Sequence, residues 1–259
     1  VAEPTTPSAD HVLVDVAATA VNRADLLQRA GCYPPVPGAP ATTLGLEISG
    51  RINRLGAAVA GWSVGDRVCA IVAGGAYAER CWVHSGSLIK VPNQLSLIEA
   101  ASVPEAFLTA YTNLFREAQL QPGESVLIHG GASGVGMAAI QLAVLSGCRV
   151  AVTARNNRKL IACHGLGAEL TIDHARQDFA SVIESEWGGV AVILDVVGAN
   201  YLERNFRSLL PQGRLVLLAT LGGARATVDL AAMMRKRLRV IGSVLRSRSD
   251  EEKAEITAE

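Results

Sequence analysis

His129-Gly130-Gly131-Ala132-Ser133-Gly134-Val135-Gly136 is the stretch on which the reading of the fold turns. An apolar, β-branched run (125–129) leads into it, and a run of helical character (135–146) leaves it. Between a strand and a helix, glycines serve three needs: a tight turn, approach of backbone to a pyrophosphate, and close packing of helix on strand. The helix that opens there offers unpaired N–H groups and the positive end of its dipole, both suited to an anion. The spacing Gly131-x-x-Gly134-x-Gly136 departs from a strict G-x-G-x-x-G, and a glycine string alone is an ordinary turn. Its weight comes from what surrounds it.

Working outward, a helix-like segment (105–117) and a Pro122-Gly123 turn precede the loop. Beyond it, apolar runs at 149–153, 169–172, 190–196, 214–219 and 239–244 read as strands. Helical stretches at 157–166, 179–186 and 201–209 lie between them. With 125–129 this predicts six strands with helical crossovers, the pattern of a doubly wound parallel sheet covered on both faces. Upstream the rhythm differs. Short β-like runs (11–17, 47–55, 67–72, 76–83, 87–91) alternate with Gly/Pro punctuation, including Tyr33-Pro34-Pro35-Val36-Pro37-Gly38. That reads as a β-rich, barrel-like domain. The expected organisation is an α/β chain with a first domain over 1–104, a nucleotide-binding domain over 105–248, and a further segment beginning at 249–259.

Composition narrows the function class. Hydrophobic residues are 49% and charged residues 19% of 259, the profile of a chain with a sizeable core rather than a disordered one. Lys plus Arg equals Asp plus Glu at 24 each, so net charge gives no hint of a polyanionic partner. The basic cluster Arg235, Lys236, Arg237 and Arg239 reads as the solvated end of a helix, not a nucleic-acid contact. Five scattered cysteines without a CxxC pair argue against a disulfide framework and for a reducing compartment. No run approaches the ~18 apolar residues of a membrane span, and the N-terminus has no signal-peptide pattern, so a cytoplasmic location is expected.

The second strand ends some twenty residues past the loop, where an NAD site usually carries an acid for the ribose hydroxyls. Here the chain has Arg155-Asn156-Asn157-Arg158-Lys159. Cations attract a 2′-phosphate that a carboxylate would repel, so NADPH is expected over NADH. The plainer alternative is a solvated helix start. Gly131, Ser133, Gly134, Val135 and Gly136, with Arg155, Asn156 and Lys159, are therefore the candidate cofactor residues.

Asn22-Arg23-Ala24-Asp25-Leu26, Leu44-Gly45-Leu46-Glu47-Ile48-Ser49-Gly50, Val64-Gly65-Asp66-Arg67-Val68, Ala76-Tyr77-Ala78-Glu79 and the glycine loop occur in one order. Together they resemble the medium-chain dehydrogenase/reductase superfamily, in its zinc-free quinone oxidoreductase branch, and the likeness runs along essentially the whole chain. It implies a GroES-like first domain, a Rossmann second domain, and NADPH-dependent reduction of quinones. Zinc-dependent relatives carry Cys where this chain has Asn22 and His where it has Leu46. A catalytic zinc needs three protein ligands, and only Glu47 remains, so no metal is expected. Without a Lewis acid the acceptor must take hydride readily, as quinones and activated enones do.

The resemblance also implies a cleft tyrosine at Tyr33, orienting the nicotinamide or a quinone oxygen or donating a proton; packing against its prolines is the alternative. Asn22 would hydrogen-bond a carbonyl or ribose hydroxyl, or cap the helix that Arg23 begins. Thr109, His174, Gly222 and Leu245 complete the implied cofactor contacts. The family often has Gly and Ser where this chain has Arg155 and Asn156, and Tyr where it has His174. Glu105 and Asp66 read as structural carboxylates. Relatives commonly pair through the last strand of the nucleotide domain, so a homodimer through 240–245 is expected. Against the family's pattern the chain looks truncated at both ends, implying an incomplete first domain. Two alternatives to quinone reduction stand: an enoyl or alkenal reductase with Tyr33 as proton donor, and a truncated, non-catalytic nucleotide-binding isoform.

Overall fold

The computed structural model describes residues 8–40 and 42–259, which fall into two units: one running up to Leu108 together with Leu245–Glu259, the other Thr109–Val244. The division between them falls within a helix, and the chain returns to the first unit at Leu245.

In the first unit, strand β1 (His11–Thr19) pairs antiparallel with β2 (Glu47–Leu55), which pairs with β3 (Arg67–Ile71). With β4 (Arg80–His84) and β5 (Leu88–Lys90) the sheet order is β4-β1-β2-β3-β5. Val12, Val14, Ile48, Ile52, Val68, Cys81 and Val83 form its core. Helix α1 (Arg23–Arg29) links β1 to β2; α2 (Leu97–Ala100) and α3 (Pro104–Tyr111) follow β5. The strand expected at 76–83 forms only from Arg80. Gly75 has φ +87°, and Ala76 and Tyr77 turn their N–H groups to the carbonyls of Gly45 and Leu44, outside the strand ladders.

The second unit is built on β6 (Ser125–His129), β7 (Arg149–Ala154), β8 (Leu170–Asp173), β9 (Val190–Asp195), β10 (Leu209–Leu217) and β11 (Arg239–Gly242). All are parallel, in the order β11-β10-β9-β6-β7-β8. That is the doubly wound Rossmann arrangement, with its switch point between β6 and β9. Every residue of β9 is buried, as expected of a strand covered on both faces. Helices α4 (Gly134–Leu145), α5 (Asn157–Gly165), α6 (Phe179–Trp187), α7 (Leu202–Ser208) and α8 (Leu230–Lys236) supply the crossovers. Phe179, Ile183, Ile193, Phe206 and Leu215 lie in one of its core clusters.

Two expectations need correction. The helix read over 105–117 is α-helical only to Tyr111 and continues as a π-helix over Thr112–Glu117. β10 begins at Leu209, with Gln212 at φ +63° and a register shift that hides the strand's first half. α8 ends at the basic cluster that the sequence reads as the end of a helix, with Arg237 as its C-cap. Finally α9 (Asp250–Ala258), capped by Ser249, returns to the first unit, where Gly86 and Ala254 approach closely.

Candidate functional site

In the second unit the loop sits at the C-terminal end of β6, beside the switch point. Ser133 caps α4, its Oγ accepting from the N–H of Gly136 at 3.0 Å. The hydroxyl is thus used within the loop, while Gly134 and Val135 occupy the first helical turn, whose amides have no intrahelical partner. A Cβ on Gly131 would lie 2.7 Å from Val152 Cβ, and one on Gly136 2.5 Å from the carbonyl oxygen of Gly130. Both positions admit only glycine: at Gly131 the loop lies against the Val152 side chain of β7, and at Gly136 backbone folds on backbone.

Asn156 ends the β7 turn and caps α5, its Oδ1 accepting from the N–H of Lys159 at 3.1 Å. Arg155, Asn156 and Lys159 are all exposed there, with no acid in the turn. His174 lies alongside, its N–H donating to the Ala154 carbonyl and its ring edge-on to Tyr201 at 6.3 Å. Arg204 stacks over Tyr201 at 4.5 Å. Sequence reasoning does not reach Tyr201 or Arg204, because their approach to the β7 end depends on the α6–α7 packing. Gly222 donates to the Val197 carbonyl at 2.7 Å, tying the loops after β9 and β10. Thr109 leaves its hydroxyl buried without a partner, the mark of a group built to meet something else. The glycine cradle, the open helix end and this orphaned hydroxyl fit a dinucleotide. Leu245 is buried and belongs to the first unit.

A buried network underlies the loop. His129 ends an otherwise apolar strand; its Nδ1 meets Thr153 Oγ1 at 3.0 Å and its Nε2 meets Asn205 Oδ1 at 2.8 Å. Asn205 Nδ2 donates to Asp195 Oδ2 at 2.9 Å, and Asp195 accepts the N–H groups of Val197 and Gly198. Burial lowers the His129 pKa from 6.5 to about 4, so the ring is neutral. Burial also raises Asp195. The one sequence signal for this network is a histidine closing an apolar strand, which the glycines after it overshadow.

In the first unit, Asn22 stands just before α1. Its Nδ2 donates to Glu47 Oε1 at 2.7 Å, and the other Glu47 oxygen accepts the Glu105 N–H at 2.8 Å. Asp25, buried, accepts the N–H groups of Asn22 and Gly45. Gly45 has φ +98°, and a Cβ there would sit 2.5 Å from Tyr77 Cδ1. The Asn22–Glu47 pair is therefore held from both sides. Burial raises the Glu47 carboxyl, opposed by its two hydrogen bonds. Burial and the neighbouring Glu47 and Asp25 push Glu105 up to about 7, against Arg246 and Lys253. Asp66 does have a turn-capping role, accepting from the Ser63 N–H.

The donor set does not fit zinc. Asn22 and Glu47 are bonded to each other, Leu46 is a buried hydrocarbon, and among the described residues no group of three or more His, Cys, Asp or Glu could hold a metal. All five cysteines are free. Tyr33 is half-buried in its proline loop, with the Arg246 guanidinium 5.2 Å from its ring centre; burial raises its phenol. No helix among the described residues is long and apolar enough to cross a membrane.

Known proteins share this architecture. The model of the alcohol dehydrogenase GroES-like domain matches residues 8–93, and that of the zinc-binding dehydrogenase family matches 134–258. Quinone oxidoreductase-like protein 2 of Mus musculus is 32% identical over 239 residues, 90% of this chain and 67% of that protein. A phenolphthiocerol/phthiocerol polyketide synthase of Mycobacterium tuberculosis is 35% identical over 88% of this chain, which spans only 10% of that protein's length. Escherichia coli quinone oxidoreductase complexed with NADPH superimposes with a TM-score of 0.86 at 28% identity, over 100% of this chain and 80% of that one. The CurK enoyl reductase gives 0.82 at 29% identity, over 99% and 79%. With both halves matched in one order, and a relative of that identity covered over two thirds of its length, the chain belongs to the medium-chain dehydrogenase/reductase superfamily, as a quinone oxidoreductase-like member.

Proposed function

We propose that this oxidoreductase uses NADPH to reduce quinones without a metal. The observation that carries the reading is the Asn22–Glu47 pair: where a metal site needs ligands, this chain joins an amide to a carboxylate at 2.7 Å. Bound NADPH supplies the hydride. The chain's own residues do the rest. The α4 amides and the glycine cradle hold the pyrophosphate; Arg155, Asn156 and Lys159 hold the 2′-phosphate, with His174 beside them. Thr109 and Gly222 meet the nicotinamide half, and Leu245 packs against the cofactor. Tyr33 gives a proton to the reduced acceptor, and Asn22 orients a carbonyl oxygen.

The test is titration of the 259-residue chain with NADPH and NADH, followed by quinone-dependent oxidation. Preferential NADPH binding with turnover supports the reading. Binding without turnover leaves a nucleotide-binding protein, and binding of neither nucleotide overturns the proposal. A second reading, reduction of an activated carbon–carbon double bond, is favoured by the likeness to an enoyl reductase. Faster NADPH oxidation with a trans-2-enoyl thioester than with 1,4-benzoquinone would select it.

A further inference from the structure

Tyr33 has one cationic neighbour whose position is unusually determined. The Arg246 side chain is 4% exposed; its Nε donates to the Ala73 carbonyl at 2.9 Å and its Nη2 to Gln28 Oε1 at 2.7 Å. Both acceptors are neutral, so neither bond cancels the charge. The remaining Nη1 and Gln28 Nε2 are buried without partners. Four separate pieces of the first unit converge here: Gln28 on α1, Tyr33 in the proline loop, Ala73 after β3, and Arg246 in the returning segment. Two fixed hydrogen bonds place the guanidinium over the phenol ring. A buried cation in that place costs desolvation, which ring and carbonyls offset only in part.

We propose that Arg246 is a positioning residue for Tyr33, holding its ring in one orientation and stabilising the phenolate left when the hydroxyl gives up its proton. The assignment rests on Tyr33 being the proton donor in the reaction proposed above. Two electrons reach the quinone as hydride, with NADPH oxidised. The acceptor oxygen takes the phenol proton as the Tyr33 O–H bond breaks, and water returns a proton to the phenolate. The charged groups facing the phenol are Arg246, which favours the phenolate, and Glu105, which opposes it once ionised. Lys253 and Glu47 act at one remove, through Glu105.

The experiment uses the full chain with Arg246→Met, Arg246→Lys and Tyr33→Phe, each checked for folding by circular dichroism. The Tyr33 phenol is titrated by alkaline difference absorbance against Tyr33→Phe, without substrate. In Arg246→Met its titration should move up by about one pH unit, since a cation at this range is worth that much to an acid. At neutral pH kcat with 1,4-benzoquinone should fall about tenfold while KM for NADPH stays put, one unit being a factor of ten. Arg246→Lys, which keeps the charge, should restore most of both. Should Arg246→Met fail to fold, Arg246→Gln, of similar reach and uncharged, takes its place with the same expected shift. An unmoved Tyr33 titration in a folded uncharged variant overturns the role of Arg246 alone. Wild-type kcat in Tyr33→Phe overturns the proton-donor reading instead, whatever the titration shows.

Discussion

Single atoms decide the nucleotide site. Placing a methyl group on Gly136 would press it to 2.5 Å from one carbonyl oxygen and 2.7 Å from the next. Overpacking of that kind costs ~1–3 kcal/mol where the backbone can shift. Gly136→Ala is therefore expected to weaken NADPH binding about tenfold, since ~1.4 kcal/mol corresponds to that factor; fluorescence titration reads it directly. Lys159→Ala tests the other end of the cofactor. Loss of one charge-assisted hydrogen bond, worth ~1.5 kcal/mol, should raise the Kd for NADPH roughly tenfold and leave that for NADH nearly unchanged. Equal effects on both nucleotides would remove Lys159 from the 2′-phosphate grip. Lys236 shows how far a surface reading can miss. In the sequence it belongs to a solvated basic cluster, yet its Nζ donates to the carbonyls of Phe206, Arg207 and Leu209 at the end of α7.

Among elements, the ends of β6, β7 and β9 and the helix α7 are joined by the His129–Asn205–Asp195 network. It works only while His129 is neutral. The unfolded chain protonates this ring near pH 6.5, whereas the folded chain resists until about pH 4. The stability contributed is thus complete above 6.5 and is lost as pH falls through that window, a change on the order of 3 kcal/mol. Denaturant melts at intervals from pH 7 to pH 4 should show the decline, and His129→Gln should flatten it. A second element-level tie is the fork of Arg214 on β10 to both oxygens of Glu124 (2.9 and 2.6 Å), with a further bond to the Ala118 carbonyl. The parallel sheet was legible in the sequence because buried parallel strands spell themselves as continuous apolar runs. The first half of β10, Leu209 to Gly213, was not: only Leu209 has a ladder partner there, Val190, and Pro211, Gln212 and Gly213 bulge out of the ladder as their turn-like composition suggests. Within the candidate site, the glycine loop and Arg155–Lys159 were legible because each is contiguous. Arg246 over Tyr33, or Tyr201 beside His174, joins residues far apart in the chain, and no local pattern announces such neighbours.

For the whole molecule, the expected dimer becomes a proposal about β11, the edge of the six-stranded sheet, where Val240 is 38% exposed. An unpaired edge of apolar residues gains by pairing across a twofold axis. Gel filtration should give the mass of two chains, and Val240→Asp, which sets like charges face to face across the axis, should give one. A single-chain mass for the unaltered protein would dismiss the pairing. The lysines add a last consequence, one for chemical labelling. The chain has four: Lys90, Lys159, Lys236 and Lys253. Lys236 has its ammonium protons committed to three carbonyls, and Lys253 is 3% exposed, while Lys90 and Lys159 stand in solvent. An amine-acylating reagent at low dose will therefore mark two side chains, one of them in the proposed phosphate grip. The ratio of their labelling by mass spectrometry, with and without NADPH, turns a binding question into the protection of one residue measured against an internal standard.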